Sequence, residues 1–135
     1  MNEQMKQYTG TKTVKAMPMT MGEAYERKLL KEGVRPSECE TDKAGYLVEY
    51  EDGYQSWSPA DVFEKAYKPS ETFVNRMLLE LEDLEKRMYK CDNFLSSDEL
   101  SALDALSRAL LTVQRGAMGQ YYIVLADRFI KANKM

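Results

Sequence analysis

Arg108, Arg115 and Arg128 recur along the last apolar stretch of the chain. Arg108 and Arg115 stand two helical turns apart, so on a helix they share a face, which Met118 and Tyr122 continue. A guanidinium grips phosphate oxygens as a fork, and a tyrosine ring beside it stacks a base. The pattern therefore suits a phosphate with a purine attached. The competing reading is that these arginines snorkel and pair with Glu85 or Asp104. Gln114, Met118, Tyr121, Leu125 and Arg128 fall on one stripe, where Gln114 and Arg128 are polar groups among apolar ones and need a partner or a ligand. Phe73 and Arg76 open the preceding helical stretch. Phe73 is offset from that stretch's main seam, which makes it a candidate stacking platform or, alternatively, a core residue. Near the start of the chain, a helix beginning at Met21 offers its first amides to an anion, with Gly22, Arg27 and Lys28 close by. A plain surface helix is the alternative there.

Other chemistry is poorly supplied. The 135 residues include no histidine, and the two cysteines, Cys39 and Cys91, are far apart in sequence. This excludes a histidine-based triad and the common zinc spacings, and two cysteines are too few for a disulfide framework. Cys39 sits in an acidic loop, which raises a thiol pKa instead of activating it. Glu80, Glu82, Asp83 and Glu85 read as the solvated face of a helix. There is no glycine-rich phosphate loop, nucleophile elbow or metal cluster, so no cofactor is expected and the chain is not expected to be an enzyme. The net charge is −3, nearly balanced in both halves, which argues against a duplex-binding basic face. No apolar run approaches the roughly 20 residues of a membrane helix, and no signal peptide is apparent. A DNA or membrane partner is therefore not expected.

The elements that must position these residues fall into two groups. Residues 1–69 read as a small antiparallel sheet with short helices. A strand runs through Thr11–Met17 and stops at Pro18. Thr20 and Glu23 form a capping box for a helix running to about Glu32, with Gly33 as its stop. Tyr46–Tyr50 and Tyr54–Trp57 flank Glu51-Asp52-Gly53, a hairpin signal. Ser58 caps a further helix with Pro59 at its first position, and Val62, Phe63 and Ala66 face the sheet. Residues 70–135 read as a long antiparallel helical hairpin. Ser70 caps a helix to about Lys90, with a stripe of Val74, Met77, Leu78, Leu81, Leu84 and Met88. Cys91–Leu95 is the turn. Ser96–Glu99 then caps a second helix of about 35 residues, about 50 Å long. Its main face is Leu103, Leu106, Leu110, Val113, Ala117, Tyr121, Val124 and Leu125, widened by Ala105, Ala109, Leu111, Met118 and Tyr122. The shorter helix cannot cover so long an apolar surface, which predicts that the hairpin oligomerises. The fold class expected is α+β: a small N-terminal antiparallel β-sheet with short helices, then a long C-terminal helical hairpin.

Two stretches carry a resemblance. Tyr8-Thr9-Gly10-Thr11-Lys12-Thr13-Val14-Lys15-Ala16-Met17-Pro18-Met19-Thr20, and Gly45 to Pro59 with Phe63-Glu64-Lys65-Ala66-Tyr67, resemble a module found in phage-encoded proteins of several kinds. Phe73-Val74-Asn75-Arg76-Met77 with Glu80 and Leu84, then Leu110-Leu111, Gln114, Ala117-Met118, Tyr121, Leu125 and Arg128, resemble the helical part of the phage anti-Thoeris sponge proteins, the first described Thoeris anti-defence family. The resemblance implies a non-enzymatic protein that acts in the cytoplasm of the infected bacterial host. Such a protein binds a cyclic ADP-ribose isomer made by a TIR-domain protein, glycocyclic ADP-ribose, and holds it without cleaving it. Some members are hexamers, trimers of dimers, and also hold cyclic trinucleotides at separate sites. Pockets for the ADP-ribose isomer lie between protomers. Carried onto this chain, Phe73 takes the base-stacking position, Asp83 a base-edge contact, and Arg108 and Arg115 the pyrophosphate. Arg76, Gln114, Met118 and Tyr122 complete the expected ligand set, and Gly22, Arg27 and Lys28 form the expected second nucleotide site. The alternative is a phage helical adaptor that binds another protein through its long helix and has no nucleotide ligand.

Overall fold

A computed structural model describes residues 3–134. Two compact units divide between Tyr67 and Lys68. The architecture is α+β, with the sheet in the first unit and the long helices in the second.

The first unit holds a three-stranded antiparallel sheet in the order β1-β2-β3. β1 (Lys15–Pro18) pairs with β2 (Gly45–Glu49), Lys15 opposite Glu49 and Pro18 opposite Tyr46. β1 is shorter than the expected Thr11–Met17, because the ladder of β2 runs out at Glu49. β3 (Gln55–Pro59) pairs with β2 from Gln55 opposite Glu49 to Pro59 opposite Gly45. The loop between them closes over Glu51-Asp52-Gly53, as expected. The Gly53 N–H donates to the Tyr50 carbonyl, the Tyr50 N–H to the Tyr54 carbonyl, and Gly53 takes φ +89°. That is a three-residue connection with glycine at the left-handed position. α1 (Met21–Glu26) is capped by Thr20, whose hydroxyl accepts from the Glu23 N–H at 3.2 Å.

α1 stops at Glu26 and does not reach Glu32. Lys28 adopts φ +61°, its N–H donates to the Tyr25 carbonyl, and the Leu29 N–H returns to Ala24. This is a Schellman closure with a lysine where glycine is usual. The core of the unit is Met19, Met21, Ala24 and Val48. Over it lies Trp57, whose indole N–H donates to the Met19 carbonyl at 2.8 Å.

α2 (Ala60–Ala66) has Pro59, not Ser58, at its N-cap. The Ser58 hydroxyl turns to the Pro59 carbonyl, and the Ala60 N–H is taken by the Ala44 carbonyl, so no side-chain cap is needed. Of the three residues expected to face the sheet, only Phe63 does so. Its ring stacks on Tyr46 at 4.3 Å and on Tyr67 at 5.1 Å. Val62 and Ala66 are exposed.

In the second unit α3 (Phe73–Leu95) begins at a capping box of Thr72 and Asn75, one turn-setting pair further on than Ser70. It runs past Lys90 because its heptad continues: Val74, Met77, Leu81, Leu84, Met88 and Cys91 are all buried or half-buried, and Cys91 extends the seam by one more position. Leu78 lies off that seam, at its exposed flank. The turn tightens into a 3-10 helix, Asp98–Ala102, and the Ser97 side chain caps nothing. α4 (Ala105–Asn133) starts instead at Asp104, whose carboxylate accepts the Ser107 N–H at 2.7 Å. That bond holds the Asp104 carboxyl below its ordinary pKa, as an anion at a helix N-terminus should be. At 29 residues, α4 is about 43 Å long.

Of the expected main face of α4 only Leu125 is buried, and the packing runs otherwise through the Leu111, Met118 and Tyr122 side expected to widen it. The residues withdrawn from solvent include Leu111, Arg115, Met118, Tyr122, Leu125, Phe129 and Ala132, at alternating four- and three-residue steps. Leu106, Leu110, Val113 and Val124 lie about a third of a turn round the helix, and each is more than half exposed. Ile123 and Ile130, on a third side, are also exposed.

Candidate functional site

The candidate ligand residues lie on α3 and α4, and the hairpin distributes them unequally. Arg115 sits on the side of α4 that faces α3. Its guanidinium is held by Asp92 near the end of α3, Nε to one carboxylate oxygen at 2.6 Å and Nη2 to the other at 3.1 Å. The Arg115 side chain is 28% exposed and that of Asp92 51%. Hydrogen bonding from Arg115 holds the Asp92 carboxyl below its ordinary pKa, and the same bond raises that of Arg115. Both groups therefore remain charged across the neutral range. An arginine held at one edge of its fork keeps its remaining N–H groups free to meet an anion.

Met118 and Tyr122 continue along the same side of α4, both half-buried, as the spacing predicts. Arg108 begins this side one heptad earlier, with its side chain exposed, and Gln114, about a third of a turn round α4 from it, is exposed too. At the opposite end of the hairpin, Phe73 is the first residue of α3, 55% exposed. Arg76 turns back along α3 to the carbonyls of Ser70 and Glu71 at 3.1 and 3.2 Å. Asp83, midway, pairs with Arg87 at 2.9 Å on an exposed surface, a contact of small energetic weight.

Phe73 and Asp92 lie on one helix and are about 28 Å apart along its axis. The hairpin therefore does not bring the expected stacking ring and the expected phosphate-binding arginines together within one chain. Arg108, Arg115, Met118 and Tyr122 share one side of α4 from its turn end to its middle, and Phe73 with Arg76 marks the far end of α3.

At the start of α1, where the second nucleotide site is expected, the first amides are already taken within the protein. The Met21 N–H donates to Lys43, that of Gly22 to Thr41, and that of Ala24 to Thr20, while Glu23 is capped by the Thr20 hydroxyl. These amides have protein acceptors, so the helix start presents no free donor set to an anion. Arg27 and Lys28 lie at the other end of α1 from Gly22, both exposed.

Asp92 is the residue that the sequence reading missed. Cys91–Leu95 belongs to α3 and is not a turn, and the acid that holds Arg115 is Asp92 and neither Glu85 nor Asp104. The continuing α3 heptad was the available signal: it carries the helix through Cys91 and so places Asp92 on a helix instead of in a loop. The first unit also contains an open groove of about 600 Å³ that no motif indicated. It is lined by Thr11, Lys12, Thr13, Tyr50, Glu51, Asp52 and Tyr54.

Residues 71–131, nearly the whole described hairpin, match the family model described as Sequestin. The resemblance of the helical half to the anti-Thoeris sponge proteins is thereby borne out. That family is of the sequestering, anti-defence kind and is not known for enzymatic activity. No curated protein and no solved structure matches the chain. Among the described residues, no helix is long and apolar enough to cross a membrane.

Proposed function

With its helical half a match to the Sequestin family, we propose that the chain is a phage anti-defence sponge for a cyclic ADP-ribose isomer, glycocyclic ADP-ribose. It acts in the cytoplasm of the infected host and holds the ligand without cleaving it. The family match over residues 71–131 carries this reading. A sponge works by mass action alone: many sites of low dissociation constant must meet a scarce signal. A nanomolar constant corresponds to about −12 kcal/mol. Two arginine forks and one stacked base in a water-poor cleft supply interactions of that order. No transition state need be stabilised, in keeping with a sequence that contains no histidine.

The pocket in this reading lies between copies of the chain. Two features support that. A helix apolar around its circumference belongs in an interior, and α4 leaves Leu106, Leu110, Val113 and Val124 on one side and Ile123 and Ile130 on another exposed. A second copy packed antiparallel along α4 brings the Phe73 end of one hairpin toward the Arg108–Arg115 end of the other. The two separate apolar sides of α4 suit an assembly with two kinds of contact, such as a trimer of dimers. In the assembled pocket Phe73 stacks the base, Arg108 and Arg115 take the pyrophosphate, and Met118 and Tyr122 form the wall.

The exposed Leu106–Val124 stripe equally favours a second reading, a helical adaptor that docks another protein and binds no nucleotide. Thermal unfolding separates them. Ligand at about 100 times its dissociation constant stabilises a binding protein by about 2.7 kcal/mol. The sponge reading expects glycocyclic ADP-ribose to raise the melting temperature clearly. The adaptor reading expects no shift.

A further inference from the structure

Two glycines, Gly116 and Gly119, interrupt the middle of α4. Glycine there costs backbone entropy and helix propensity, so each calls for a reason. They differ in surroundings. A Cβ at Gly116 meets nothing within 4 Å, whereas one at Gly119 stands 3.3 Å from Nη1 of Arg115. That is closer than carbon and nitrogen ordinarily pack. The arginine cannot simply swing aside, because Asp92 holds its Nε and Nη2 at 2.6 and 3.1 Å. Among the described residues Nη1 makes no hydrogen bond, and its N–H groups lie on the guanidinium edge away from Nε.

We propose that Asp92 and Gly119 are positioning residues that set Arg115 as a fixed anion fork: Asp92 clamps the Nε edge, and Gly119 keeps the Nη1 edge bare for a phosphate. This rests on the reading of Arg115 as a ligand residue and says how the residue is presented. Clamping removes rotamer freedom before the ligand arrives, so less is lost on binding. The bare helix surface at Gly119 lets a phosphate oxygen approach the fork without meeting a methyl group. The fork matches two oxygens of one phosphate in a plane, so the ligand class is a phosphate or pyrophosphate ester.

The test uses the full-length protein labelled with 15N at arginine, the Arg115 Nε–H signal being assigned by its absence in Arg115→Ala. Inorganic pyrophosphate is the first probe and glycocyclic ADP-ribose the second. In the wild type the Arg115 signal is sharp, and pyrophosphate moves it along a saturating curve. Asp92→Ala broadens it in the free protein through exchange with water. Gly119→Ala needs at least threefold more pyrophosphate for half-saturation. Gly116→Ala keeps the wild-type curve and raises the melting temperature by favouring the helix. Equal curves for wild type and Gly119→Ala, a signal that pyrophosphate does not move, or one that stays sharp in Asp92→Ala overturns the inference. If pyrophosphate discriminates as described but glycocyclic ADP-ribose does not bind, the fork stands and the sponge reading for that nucleotide falls.

Discussion

Phe73→Ala and Arg115→Ala, each purified alone, lose measurable binding of glycocyclic ADP-ribose, and mixing the two variants restores part of it. Neither substitution should unfold the hairpin. Phe73 is 55% exposed at the first position of α3, and the Asp92 left behind by Arg115→Ala is half exposed and free to hydrate. Light scattering should give both variants the wild-type mass, well above the 15.6 kDa of a single chain. Loss of binding in each follows from removing either the stacked base or the phosphate fork, both of which a tight nucleotide site needs. Restoration follows from the separation of about 28 Å between the Phe73 and Asp92 ends of α3. If a pocket takes Phe73 from one chain and Arg115 from another, random exchange of protomers rebuilds about a quarter of the pockets intact. Titration calorimetry of the mixture reads that fraction. A pocket built within one chain gives no recovery on mixing, and wild-type affinity in both single variants places the site elsewhere.

Gly45→Ala should destabilise the first unit strongly while leaving the helices of the second in place. Gly45 begins β2, opposite Pro59 in the register. A methyl group there runs into the six-membered ring of Trp57 and the carbonyl oxygen of Ser58. The indole cannot retreat without breaking its 2.8 Å bond to the Met19 carbonyl. The ring therefore tilts at the loss of that bond, or β3 moves off β2. Overpacking of this kind costs about 1–3 kcal/mol, and a unit of this size loses about 4–8 °C of melting temperature per kcal/mol. Trp57 is the only tryptophan in the chain, so its fluorescence reports this unit alone, while far-ultraviolet circular dichroism is dominated by α3 and α4. The fluorescence transition is expected to fall by about 10 °C or more with the helical signal retained. An unchanged fluorescence transition contradicts the packing described.

Features set by neighbours in sequence were legible. The Asp52-Gly53 step gave the hairpin, Thr20 its cap, and the α3 heptad its seam, because each depends on residues a few positions apart. Ends were less so. α1 stops at Glu26 because Lys28, two residues on, takes a left-handed φ that its residue type does not announce. α4 starts at Asp104 and not at the Ser96–Glu99 box, because residues 98–102 close into a 3-10 helix and the Asp104 carboxylate takes the Ser107 N–H. The Arg115 partner depended on hairpin register. Glu85 and Asp92 are one heptad apart on the same side of α3, and only the pairing of the two helices selects Asp92. The same register decides which apolar side of α4 meets α3. The sequence showed a broad apolar surface but not which part of it the hairpin covers.

A sponge must hold its nucleotide signal and return it unaltered, a property open to measurement. Its most direct test is calorimetric titration of the purified protein with glycocyclic ADP-ribose, followed by heat denaturation and chromatography of the released ligand. Saturable heat, a dissociation constant in the nanomolar range and full recovery of intact ligand are expected. Absence of heat across the titration, or release of a cleaved product, contradicts the sponge reading.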